Sequence, residues 1–141
     1  MSKADKGRAL GVGGVIFRSA DPARLGKWYA DTLGLQVENW GKTHGTSFAP
    51  ADMPPTAFTV WSAFAADTEY FGDLSQGHMI NLVVDNLDAA LENVREGGAE
   101  VLNDREEHDF GRFGWFVDPD GNRVELWEPP TELPEGVAGE E

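Results

Sequence analysis

The chain states one plan twice, and a repeated plan limits the folds open to it more than any single residue does. The stretch "GGVIFRSA" carries β-branched and aromatic residues between glycines and Asp21-Pro22, a frame that favours a strand. Asp21 has the side chain of an N-cap. Pro22 then falls at the first helical position, where a missing N–H leaves no bond unmade. Leu25, Trp28, Tyr29 and Leu33 follow at helical spacing, and Gly34 ends the segment as a left-handed cap residue would. "LQVENW" then alternates like a strand.

The second half repeats this order. "HMINLVV" is strand-like, "DNLDAALENVREGG" puts Leu87, Leu91 and Val94 on one helical face, and "AEVLN" resumes strand character after Gly97-Gly98. Gly34 and Gly98 stand 64 residues apart, as do Val37 and Val101. Matching order, cap type and spacing point to duplication. Each half adds further strand candidates: "HGTSFA" and "AFTVWSAF" in the first, "GRFGWFV" and "RVELWE" in the second. The expected fold is therefore α+β, a single domain over 10–128 built from modules 10–66 and 77–128. The polar stretch near "AADTEYFGDLSQG" joins them. Residues 1–9 read as an N-terminal extension and 129–141 as an acidic, solvated tail.

At 141 residues the chain has room for one core of ordinary size. Its net charge is −14, and five glutamates from Glu128 onward supply part of that. A field of this sign repels phosphate backbones and anionic lipid, so neither nucleic acid nor a membrane surface is an expected partner. With no cysteine there is no disulfide, thiolate metal site or cysteine nucleophile. "ALGVGGVIF" is short, broken by glycines and followed by Arg18, so it fails as a signal peptide or membrane span, and a cytoplasmic location is the expectation. There is no phosphate loop, and the glycines of "GVGGV" precede a strand where a dinucleotide loop would follow one.

Three stretches together resemble the vicinal oxygen chelate superfamily, which holds glyoxalase I, bleomycin-resistance proteins, fosfomycin-resistance enzymes and extradiol dioxygenases. They are "FRSADPARLGKWYADTLGL", "VDNLDAALENVREGGAEV" and "GRFGWFVDPDGNRVELWEP", and the resemblance spans roughly residues 10 to 129. It implies tandem βαβββ modules whose curved sheets surround a pocket, with the helices outside. It also implies a divalent metal, held by residues from the first strand of each half and by a glutamate on the last strand.

Glu125 matches that glutamate. Val124 and Leu126 share one strand face, so if they pack beneath a helix, Glu125 and Trp127 point to the other side with Arg123. The other two ligand positions fall on Gly14 and Met79, neither of which suits a divalent ion. His78 reaches the second position only by a one-residue slip that would turn its whole strand over. If a metal is bound, Glu125 and His78 are its candidate ligands, but the expectation is that no cofactor is needed. A buried unpaired carboxylate is costly, so an arginine, Arg18 more than Arg123, is expected to pair with Glu125.

The expected function is a glyoxalase/bleomycin-resistance-like protein that binds a small organic molecule, with Glu125 as the catalytic candidate should it turn the ligand over. Arg18, Trp61, Asn81, Met79 and Trp127 are the expected ligand contacts, with aromatic walls and a few polar anchors. The alternative is a metal-dependent lyase, isomerase or dioxygenase of the same superfamily. Exposed sheet edges, and the habit of the family resembled, make a homodimer the expected assembly.

Overall fold

A computed structural model describes residues 7–73 and 75–132 of the chain. Most of the expected N-terminal extension and acidic tail lies outside those residues.

Helix α1 spans Pro22–Leu33 and begins as the sequence indicates: the Asp21 side chain accepts from the Arg24 N–H, and Pro22 opens the first turn. It ends at Gly34, whose φ of 76° is left-handed, with the Gly34 N–H donating to Tyr29 O. Helix α2, Leu87–Glu96, starts at Asn86, which accepts from the Ala89 N–H in the same manner. Asn86 is thus the counterpart of Asp21, as the sequence alignment of the two helices requires. The face carrying Leu87, Ala90, Leu91 and Val94 is buried.

The second half forms the whole expected unit. Strand β3 (Ile80–Val83) leads into α2, then β4 (Glu100–His108), β5 (Gly111–Val117) and β6 (Arg123–Glu128) follow. They build one sheet in the order β3-β6-β5-β4, with β3 parallel to β6 and the remaining pairs antiparallel. Both helices pack on one face of it. There Leu25 and Tyr29 of α1 join Leu87, Leu91 and Val94 of α2 over Phe116, Val124 and Leu126. The fit is close enough that a β-carbon on Gly114 of β5 would stand 2.8 Å from the Leu91 Cδ1. The other face of the sheet carries Trp115, Glu125 and Trp127.

The first half departs from the expectation. Only β1 (Glu38–Trp40) and β2 (Thr43–Gly45) form strands, as an antiparallel pair separate from the four-stranded sheet. "GGVIFRSA" and "AFTVWSAF", expected as strands, join no ladder, and the two sheets do not close around a pocket. Alternation gives a segment the propensity for a strand, but only a neighbouring edge satisfies its N–H and C=O groups. Without one among the described residues, Ile16 stays 99% exposed and Trp61 81% exposed.

Candidate functional site

The residue that organises the sheet face opposite the helices is Glu125. Val124 and Leu126 are anchored in the core at 1% and 0% exposure, so the pleat turns Glu125 and Trp127 to the opposite side. Register then sets the neighbours. Asn81 of β3 and Trp115 of β5 are the cross-strand partners of Glu125 on its two flanks. Asn81 Nδ2 donates to Glu125 Oε1 at 2.7 Å, and Trp115 Nε1 donates to Oε2 at 3.1 Å. A third donor comes from outside the sheet: the Tyr70 hydroxyl reaches Oε2 at 2.5 Å. Glu125 itself is 8% exposed. A carboxylate so far removed from water is tolerable because three donors replace its hydration.

The expected arginine pairing is not formed. Arg18 is exposed and makes no ion pair among the described residues, while Arg123 Nη1 donates to the Tyr70 backbone carbonyl at 3.2 Å. Charge was not needed, since two neutral donors were already fixed by strand register. Arg123 contributes at one remove, by tethering the loop that carries Tyr70. Gln76 adds a second clamp, accepting from the Arg123 N–H and donating to the Arg123 carbonyl.

Aromatic rings surround the row. Tyr70 stacks on Phe64 with centroids 5.2 Å apart and meets Trp115 edge-on at 6.1 Å. Further along the same face, Trp127 lies parallel to Phe113 at 6.1 Å and packs on Phe58 at 5.0 Å. The Trp127 indole N–H is already committed to the Phe110 carbonyl at 2.8 Å. Burial, and then the bond to Glu125, push the Tyr70 phenol above its ordinary pKa of 10.0, so it serves as a donor across the physiological range.

Of the sequence candidates, the structure brings Asn81 to Glu125 and sets Trp127 two residues along the same strand face. Met79 is half-buried just before β3. Trp61 and Arg18 lie on the exposed segments and do not reach the row. Sequence reasoning placed Tyr70 in a polar connector and so missed it. The signal available was an aromatic cluster, Tyr70-Phe71, inside an otherwise acidic linker.

The donor set does not fit the divalent ion implied by the resemblance. His78 is exposed and precedes β3 with its position out of phase with Asn81, while Glu125 has one carboxylate whose lone pairs face an amide, an indole and a phenol. Among the described residues no group of three His, Asp or Glu side chains converges. Two shallow grooves, of about 350 and 440 Å3, lie elsewhere, one between Trp28 and Asp118 and one between the end of α1 and the start of α2.

A strand–helix–three-strand unit with helices on one face and a glutamate aimed from its last strand defines the class as the glyoxalase/bleomycin-resistance fold. The chain belongs to the family described as "Glyoxalase-like domain", whose model matches residues 14–127. It is similar to the crystal structure of a protein of unknown function from Agrobacterium tumefaciens, at 19% identity and TM-score 0.53, covering 89% of this chain and 98% of that one. A second neighbour is a member of the glyoxalase/bleomycin resistance protein/dioxygenase superfamily from Sphaerobacter thermophilus, at 24% identity and TM-score 0.49, covering 86% and 98%. A third is an antibiotic binding protein from a Streptomyces species, at 21% identity and TM-score 0.47, covering 79% and 89%. Comparison with curated proteins finds no match. No helix among the described residues is long and apolar enough to cross a membrane.

Proposed function

We propose that this chain binds a small, partly aromatic organic molecule on the sheet face opposite the helices, with Glu125 as its polar anchor and no metal in the site. One observation carries the reading: a 92% buried carboxylate stands in a row of fixed donors with aromatic rings on either side. Three donors offset the cost of burying this carboxylate, and an apolar residue at the same strand position would need none of them, which favours a polar anchor. Apolar walls with a few aimed polar groups are the general form of a small-molecule site. The test is a thermal-shift screen of aromatic compounds against the protein and Glu125→Gln, each with and without a chelator. Hits that need Glu125 and survive chelation support the reading. Hits lost on chelation, or untouched by the substitution, refute it.

We further propose that the protein works as a homodimer. Val15, Ile16, Val60 and Trp61 are exposed on two extended segments that carry no acidic residue, and a second copy would cover them. Sedimentation equilibrium gives the answer directly. A dimer that Ile16→Lys and Trp61→Lys dissociate supports the proposal, and a monomer at millimolar concentration refutes it.

A further inference from the structure

The three donors on Glu125 differ in origin. Asn81 and Trp115 belong to strands and are its register partners, so backbone ladders fix them. Tyr70 comes from a run of turns between the modules, where the Thr68 N–H donates to the Ala65 carbonyl and the Gly72 N–H to the Glu69 carbonyl. It is half-buried, and its ring stacks on Phe64 and meets Trp115 in a T-shaped contact. Apart from that bond and ring packing, the residue is held through its backbone carbonyl by Arg123 and through its N–H by the Thr68 hydroxyl.

The geometry points to Tyr70 as an internal stand-in for the ligand, and hence to a neutral hydroxyarene, a phenol or naphthol, as the class of molecule that the Glu125 site takes. The proposal rests on the reading of Glu125 as a ligand anchor. A phenol is what the site holds when closed on itself: the hydroxyl donates to Oε2, one ring face meets Phe64, and Trp115 makes a T-shaped contact. A hydroxyarene that displaces Tyr70 would keep all three contacts. An arene without a hydroxyl would leave a buried acceptor short of a donor, and that deficit discriminates strongly. An aromatic carboxylate would bring a second negative charge against Glu125 in a chain of net charge −14. The loop can give way because it is tied by turn bonds, the Arg123 tether and the Gln76 clamp, not by a ladder.

The experiment is a titration of the full chain with a naphthol, naphthalene and a naphthoate, read by the indole N–H signal of Trp115 in heteronuclear NMR. The wild-type protein is expected to bind the naphthol at least about tenfold more tightly than either of the others. Tyr70→Phe removes the competing hydroxyl and keeps the ring, so it should raise naphthol affinity by roughly fivefold to tenfold. Glu125→Gln, which keeps an acceptor but loses the charge, should shrink the preference. Equal binding of naphthol and naphthalene would overturn the hydroxyarene assignment while leaving an aromatic-binding site in place. Tighter binding of the naphthoate, or a Tyr70→Phe variant with unchanged or weaker naphthol binding, would also overturn it. If none of the three moves the Trp115 signal, both the assignment and the reading beneath it fail.

Discussion

Replacing Glu125 by leucine keeps roughly the volume of the side chain and deletes the only acceptor that Trp115 has among the described residues. Trp115 is 4% exposed, so its N–H gains no water in return, and a buried donor left unmade costs about 1–3 kcal/mol. Asn81 is exposed and Tyr70 half-buried, so each can turn to solvent and loses about 0.5–1.5 kcal/mol. With some return from the apolar side chain, the net loss for Glu125→Leu should be about 2–4 kcal/mol, a large part of the roughly 5–15 kcal/mol that holds an ordinary domain together. Glu125→Gln should behave differently. Its amide oxygen can take the Oε2 place and accept from both Tyr70 and Trp115, while its NH2 faces Asn81, whose own amide can turn to accept. Only charge assistance is lost, about 1 kcal/mol. Urea unfolding followed by tryptophan fluorescence measures both variants. A leucine variant as stable as the wild type, or a glutamine variant as damaged as the leucine one, would refute the idea that three donors compensate this carboxylate.

Other consequences follow from the packing around the site. Gly111 has φ of 131°, and a β-carbon there would run into the Trp127 indole and stand 2.5 Å from the Glu128 carbonyl oxygen; Gly111→Ala should cost about 2–4 kcal/mol and perturb the Trp127 N–H signal. Leu91 is 1% exposed at the centre of the α2 face, so Leu91→Ala should cost about 2–5 kcal/mol in the same unfolding assay while leaving ligand contacts on the opposite sheet face intact. Asp118 is held above its ordinary value of 3.8, first by burial, against the lowering effect of bonds from the Asn122 N–H, the Tyr29 hydroxyl and the Asp120 N–H. The native state therefore binds that proton more tightly than the unfolded chain does. Its contribution is complete below the unfolded carboxylate value and lost as pH rises through the raised native one. Asp118→Asn should flatten that part of the stability curve, measured as denaturation midpoint from about pH 3 upward, and an unchanged slope would contradict the raised value.

Local signals carried both helices and the sheet of the second half well. N-caps at Asp21 and Asn86, the glycine after α1 and the apolar face of α2 act within a few residues, so spacing alone reveals them. The direction of Glu125 was equally legible, because Val124 and Leu126 fix the pleat. What failed depended on distant partners. The segments around Ile16 and Trp61 have the alternation of strands, yet pairing is decided by which edge lies beside them. Arg18 could face Glu125 only from a strand over "GGVIFRSA", and that strand does not form. Asn81 and Trp115 were within reach of register reasoning. Tyr70 was not, since a loop residue 55 positions away from Glu125 obeys no period.

The account turns on whether a ligand meets Glu125, and the Trp115 indole N–H is the nearest reporter, donating to that carboxylate at 3.1 Å. Its NMR signal, assigned with Trp115→Phe and followed during titration with an aromatic ligand found in the thermal screen, is the most direct measurement. The account predicts that this signal shifts saturably and that Glu125→Leu abolishes the response. A ligand that binds saturably while the Trp115 signal stays fixed would contradict it, and the site would have to be sought elsewhere on the chain.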